Sequence, residues 1–315
     1  MQYGIGVDVG GTTVKLGLFQ QDGSLVTSWE IPTRTENGGA SILPDISLTI
    51  LGCLEQRGIN KQDVFGIGIG VPGPVDEKGL VNQCVNLGWG VFNLSKALSE
   101  LTGLPVKAGN DATVAALGEH WFGGGKGYDS SLTVTLGTGV GGGLVLGGQV
   151  VNGSHGVAGE LGHMTVNRKE TTPCNCGKFG CLEQYASATG IVRMARQQLE
   201  QSEEPSSLRN RKDFTCKDVF DCAAEGDAIA QAALERAYAY LGESIANACC
   251  VIDPQLVLLG GGVSKAGRPL LDGVYRHFRR CVFHAGSDTR FALATLGNNA
   301  GIYGCFCLAR NAFLN

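Results

Sequence analysis

From Tyr3 the chain alternates small and apolar residues as YGIGVDV, breaks at GGTT and resumes as VKLGLFQ, before QDGS separates a third run, LVTSWEI. Runs of this kind between glycine-rich breaks predict three strands, and Asp22-Gly23 marks a tight hairpin between the second and third. A helix is predicted from about Ala40 to Arg57. VFGIGIGVPGPVD then gives a strand ending on a Gly-Pro loop, so the unit is a parallel crossover. NLSKALSELTG predicts a helix, PVKAG a short strand, and NDATVAALGEHW a helix capped by Asn110 or Asp111.

The second half restarts the pattern of the first. SLTVTLGTGVGGGLVLGGQVV repeats strand, Gly-Thr-rich turn, strand and tight turn in the order and spacing of IGVDVGGTTVKLGLFQQDG. The repeat predicts a duplicated sheet unit, hence two similar α/β domains facing each other across a cleft. QQLEQSEEPSSLRNRKDF reads as a polar, mobile surface connection. A long helix is expected from Asp227 to Ile252, then the apolar strand QLVLLGGGVS, then the helix AGIYGCFCLARNAFL, long enough to cross back onto the first domain. The expected division is residues 1–112, joined by the C-terminal helix 298–315, and residues 113–297.

Composition narrows the function classes. The 315 residues, 43% hydrophobic and 17% charged, suffice for about two domains with sizeable cores. A net charge of -4 provides no basic field for nucleic acid or anionic lipid. MQYGIGVDVGG lacks a basic region followed by an apolar one, and no run of about eighteen apolar residues occurs, so a cytoplasmic protein is expected. Twelve cysteines in a chain this long do not read as a secreted disulfide framework. Those in IANACCVID and GCFCLAR are expected to be buried free thiols. The 49 glycines are expected mainly in turns.

Several stretches carry chemistry. In DVGGTT, a turn without side chains brings backbone amides to phosphate oxygens, threonine hydroxyls add donors, and Asp8 can hold hydrated Mg²⁺; the alternative is a plain hairpin with a solvated Asp8. LGTGVGGG repeats such a turn, and two together can clamp a polyphosphate. Neither fits the Walker or the dinucleotide pattern. LLGGGVS offers a flat glycine-lined surface for an adenine ring, or a close-packed strand-to-helix turn. Asp111, where strand gives way to helix, is a candidate general base or a helix cap. CNCGKFGCLEQ crowds three cysteines into eight positions, and His163, eleven residues before Cys174, completes a His-Cys₃ donor set. That set favours zinc over a redox pair or incidental thiols, as a closed structural site that steadies Glu160 and Glu183. Zinc is expected to act on that end of the site without touching the phosphate turns.

Together DVGGTTVK, GVPGPVD, NDA, LGTGVGGG, GELGH and CNCGKFGCLEQYAS, in this order over essentially the whole chain, resemble the ROK family of sugar kinases, nearest its bacterial ATP-dependent glucokinases. The resemblance implies a two-domain fold of the actin, hexokinase and Hsp70 type, ribonuclease H-like, with ATP and sugar in the cleft. It implies that Asp8, Gly10, Gly11, Thr12 and Lys15 form the first phosphate element, with Asp8 near Mg²⁺, and that Thr138 and Gly139 belong to the second. Gly260, Gly261 and Gly262 fall at the adenosine. Gly73, Asn110 and Asp111 lie at the sugar, Asp111 being the base toward the 6-hydroxyl. Glu160, His163 and Glu183 address the opposite hydroxyls, while His163, Cys174, Cys176 and Cys181 bind zinc. A homodimer or higher homo-oligomer is implied as well. The same family contains N-acetylmannosamine and fructose kinases and transcriptional repressors. A repressor carries a helix-turn-helix before the first motif, where this chain begins its first strand at about Tyr3, and the intact Asp8, Asp111 and turns argue against a silent sugar sensor.

Overall fold

The computed structural model describes residues 2–314. A first sheet contains β1 (Tyr3–Val9), β2 (Thr13–Gln20), β3 (Leu25–Pro32), β4 (Val64–Val71) and β7 (Val106–Asn110), in the order β3-β2-β1-β4-β7. β1 is antiparallel to β2 and parallel to β4, and β4 is parallel to β7. The short strands β5 (Leu80–Val81) and β6 (Phe92–Asn93) form a separate ribbon that the sequence pattern does not predict. The accompanying helices are the distorted turn α1 (Glu36–Gly39), α2 (Ile42–Gln56), α3 (Leu94–Thr102) and α4 (Asp111–Phe122).

Strand periodicity sorts the side chains of this sheet. Ile5, Val7 and Val9 of β1 and Ile67, Ile69 and Val71 of β4 share a core with Ile42, Ile46 and Ile50 of α2. The intervening positions, Gly4, Gly6 and Asp8 with Gly66, Gly68 and Gly70, therefore face the other side. There lies the last helix of the chain, α10 (Ala300–Phe313). It lies so close that a Cβ at Gly68 would sit 1.7 Å from the carbonyl oxygen of Cys305. A few strand glycines thus serve as a flat seat for a helix, while most of the others lie in turns and loops, as expected. Phe306 of α10 stacks on Phe19 of β2 with centroids 4.7 Å apart, both rings fully buried, each contributing about 2–3 kcal/mol.

The second sheet contains β8 (Ser130–Leu136), β9 (Val140–Leu146), β10 (Gln149–Val150), β11 (Leu256–Gly260) and β12 (Arg290–Leu293). Its order, β10-β9-β8-β11-β12, repeats that of the first sheet strand for strand. Around it stand α5 (Glu183–Ala186), α6 (Ala188–Gln201), α7 (Cys216–Ala224), α8 (Ala228–Ile252) and α9 (Arg268–Cys281). Thr215 and Asp218 form a capping box on α7, and Asp227 caps α8 through the amides of Ile229 and Ala230. The polar stretch expected to be a mobile loop is instead structured. α6 runs through Gln201, a 3₁₀ turn covers Ser207–Asn210, and Asp227 accepts from Ser206 and Ser207. Polar side chains bonded to backbone fixed it, a pairing that composition does not reveal.

Two compact units result. One comprises the residues up to Gly127, Gly143–Gly159 and those from Leu296 on; the other comprises Tyr128–Gly142 and Glu160–Thr295. α4 thus falls in the first unit, on the far side of the expected division at 112/113. Cys249, Cys305 and Cys307 are buried free thiols, whereas Cys250 is exposed. Among the described residues no helix is long and apolar enough to cross a membrane.

Candidate functional site

In the first unit the polar residues gather at the C-terminal ends of the parallel strands β1, β4 and β7, where open α/β sheets place their ligands. Asp8 stands opposite Lys15 on β2 and Gly70 on β4. Burial pushes its carboxyl up, the negative charge of Asp111 adds to this, and Lys15 pulls the other way, leaving a pKa of about 6. Space for this carboxylate depends on Gly301 of α10, where a Cβ would lie 2.2 Å from Asp8 Oδ2. Lys15 Nζ donates to the Asn298 carbonyl at 3.3 Å. The turn from Gly10 to Thr12 is held from outside: Thr33 Oγ1 donates to the Gly10 carbonyl at 2.7 Å, and the Thr33 amide to the Thr12 carbonyl at 2.9 Å.

Asn110 ends β7 and caps α4, its Oδ1 accepting from the Thr113 amide at 3.1 Å. Its Nδ2 donates to the Gly73 carbonyl at 3.2 Å, which fixes the Gly-Pro loop after β4. Asp111 is the first residue of α4, and its Oδ1 accepts from the Ala112 amide at 2.7 Å. The helix cap is therefore Asn110.

In the second unit Gly137, Thr138 and Gly139 join β8 to β9. The Gly137 amide donates to the Gly139 carbonyl at 3.0 Å, Gly137's own carbonyl accepts from the Ala188 amide at 2.8 Å, and that of Thr138 accepts from Thr189 Oγ1 at 2.7 Å. Gly260 ends β11, the parallel neighbour of β8. At Gly261, with φ +81°, a Cβ would lie 2.5 Å from the Leu136 carbonyl oxygen. The two glycine turns are therefore adjacent.

His163, Cys174, Cys176 and Cys181 place their donor atoms within 4.8 Å of one another. Cys176 Sγ and Cys181 Sγ are 3.6 Å apart, and Cys174 Sγ and His163 Nδ1 3.9 Å. The sulfurs are too far apart for a disulfide, and both separations match the edges of a tetrahedron around an ion with bonds of about 2.0–2.3 Å. The donor set and its spacing fit zinc. Burial pushes the Cys174 thiol up to about 12 and raises Cys181, while at Cys176 the Lys178 amide and the flanking thiols outweigh burial and lower it. Around the loop, Gln184 accepts from the Cys181 amide and donates to the Thr172 carbonyl, both at 3.0 Å. Glu170 receives Tyr185 Oη at 2.6 Å and Arg193 Nη2 at 2.9 Å. These hydrogen bonds outweigh burial and hold its carboxyl at about 2.

Glu183 links this loop to the turn. Its Oε1 lies 2.8 Å from Cys174 Sγ and 3.7 Å from His163 Nδ1, and its Oε2 would lie 2.7 Å from a Cβ at Gly139. The expected separation of metal loop and phosphate turn is therefore absent. Glu160 directly precedes the 3₁₀ turn Leu161–His163; its carbonyl accepts from the His163 amide and its side chain is exposed. The residues missed from sequence are those acting behind the turns, Thr33, Thr189 and Gly301. Only the last had a signal, the closely spaced glycines of AGIYG.

The ROK family profile matches residues 4–312. A glucokinase of Halalkalibacterium halodurans is 45% identical over 305 residues, covering 95% of this chain and 92% of that protein. The ROK hexokinase of Thermus thermophilus superposes with a TM-score of 0.84 at 31% identity, over 99% of each chain. A ROK family glucokinase from Streptomyces griseus, in complex with glucose and AMPPNP, superposes with a TM-score of 0.76 at 33% identity, over 98% of this chain and 99% of that one.

Proposed function

The chain belongs to the ROK family and has its actin- and hexokinase-like fold, and from that premise we propose that it transfers the γ-phosphoryl group of ATP to the 6-hydroxyl of glucose. It is an ATP-dependent sugar kinase. The observation that carries the assignment is the carboxylate pair at the strand ends, Asp8 and Asp111, in a chain 45% identical to a glucokinase.

Asp111 accepts the proton of the 6-hydroxyl as its oxygen bonds to the γ-phosphorus and the bond from that phosphorus to the β-phosphate bridging oxygen breaks, releasing ADP. Asn110 and the Gly73 loop orient the sugar near that oxygen, and Glu160, His163 and Glu183 take its other hydroxyls. The amides of Gly10, Gly11 and Thr12, with Lys15, and those of Thr138 and Gly139 meet the polyphosphate, and Gly260, Gly261 and Gly262 flank the adenosine. Asp8 would hold Mg²⁺, which supplies neutralisation of phosphate charge when bound. A half-buried carboxylate whose pKa is raised by a second one suits a bound divalent cation. His163, Cys174, Cys176 and Cys181 would hold a zinc ion in a structural role. The enzyme acts in the cytoplasm as a homodimer.

Initial rates with ATP and glucose, mannose, fructose, N-acetylglucosamine or N-acetylmannosamine test this. The highest kcat/KM is expected for glucose. A higher value for N-acetylmannosamine or fructose overturns the sugar assignment, and no turnover with any sugar overturns the kinase.

A further inference from the structure

The second phosphate turn is oriented by carbonyls, and this assigns a role to a residue outside every motif. In a planar trans peptide the N–H points opposite to the C=O of the same unit. Gly137's carbonyl is held by the Ala188 amide, so the Thr138 amide is turned away from α6. Thr138's carbonyl is held by Thr189 Oγ1 at 2.7 Å, so the Gly139 amide is turned away too. α6 thereby presents two successive backbone donors on the opposite side of the turn, an arrangement that suits an anion.

The start of α6 is itself fixed. Ser187 Oγ donates to the Glu183 carbonyl at 2.6 Å and accepts from the Gly190 amide at 3.0 Å, and it lies 3.0 Å from Thr189 Oγ1. Glu183, at the head of this segment, contacts Cys174 and seats its carboxylate against Gly139. One continuous run, Glu183 to Thr189, therefore joins the metal loop to the turn at both of its ends.

Resting on the kinase reading, we propose that Thr189 is a positioning residue for phosphoryl transfer, its hydroxyl setting the peptide plane whose amide meets the nucleotide phosphate. It does not touch the sugar. Thr189→Val keeps the shape and removes the donor, while Thr189→Ser keeps the donor.

The test measures affinity for a non-hydrolysable ATP analogue by calorimetry, affinity for glucose by tryptophan fluorescence, and both KM values, in wild type, Thr189→Val and Thr189→Ser. Loss of one net hydrogen bond predicts that Thr189→Val weakens the analogue and raises the KM for ATP about 3- to 10-fold. The glucose constants should stay within about twofold, and Thr189→Ser should restore wild-type values. Unchanged nucleotide constants in Thr189→Val overturn the proposal, and so does an equal loss for both ligands, the mark of general loosening. A wild type that binds the analogue but phosphorylates no sugar contradicts the kinase reading alone, because analogue affinity still reports on Thr189.

Discussion

The two sheets share one frame and differ at one equivalent position. In the first, Asp8 on β1 stands opposite Gly70 of β4; in the second, Thr135 on β8 stands opposite Gly260 of β11. Each is followed by a glycine-threonine turn whose carbonyls are held from outside, by Thr33 in one case and by the start of α6 in the other. Both copies carry such a turn, and only the first has a carboxylate, half-buried, at the equivalent strand position. The charged copy bears the electrostatic cost of a partly desolvated carboxylate, whereas the other has a neutral threonine there.

The largest effect should come from the charged copy. Asp111→Asn keeps size but cannot accept a proton, so kcat should fall about 10²- to 10⁴-fold with glucose affinity within a few fold. Wild-type kcat in this variant would reduce Asp111 to a structural role.

Asp8→Asn should lower kcat about 100-fold through loss of the magnesium site, and should stabilise the ligand-free fold. The sign follows from the raised pKa. Asp8 is protonated more readily folded than unfolded, so its contribution is fully present below the ordinary value of 3.8 and is lost as pH rises through about 6. Above that, the charged carboxylate costs the native state about 3 kcal/mol, which the amide removes. The difference in Tm between the two proteins should be small near pH 4, open as pH rises to about 6 and stay constant above it; a difference that does not change between pH 4 and 6 would contradict the desolvated charge.

Thr135→Asp imposes the first copy's charge on the second. With phosphate nearby, ATP affinity should fall about 10-fold with glucose affinity unchanged, as measured by calorimetry. Tighter magnesium-dependent ATP binding would erase the distinction between the copies.

The smallest kinetic effect is expected for Cys176→Ser. Wild-type protein should hold about one zinc per chain, and the variant less, with a lower Tm. Because Glu183 touches both Cys174 and Gly139, the KM values for glucose and ATP should both rise a few fold. A rise in one alone would separate the metal loop from the turn.

Sequence made the frame legible wherever periodicity and glycine breaks coincide: both Gly-Thr turns, the hairpin at Asp22-Gly23, the long α8 and the His-Cys₃ set. The sheet duplication followed from the repeated spacing. What stayed hidden is tertiary. The β5–β6 ribbon is only two residues long on each side, too short for any alternation to register. Thr33 and Thr189 are single hydroxyls that act on carbonyls of distant residues, 23 and 51 positions away. Gly4, Gly6, Gly66 and Gly68 look like breaks in apolar strands until α10 is seen lying on them.

The most direct test is product identification by phosphorus and carbon NMR after wild type and Asp111→Asn are each incubated with ATP, magnesium and glucose. Stoichiometric ADP and a phosphate ester on carbon 6 are predicted for wild type, with almost none for the variant over the same interval. A phosphate on another carbon, no sugar ester at all, or equal product from both proteins would contradict the assignment of Asp111 and its neighbours as the phosphoryl-transfer site.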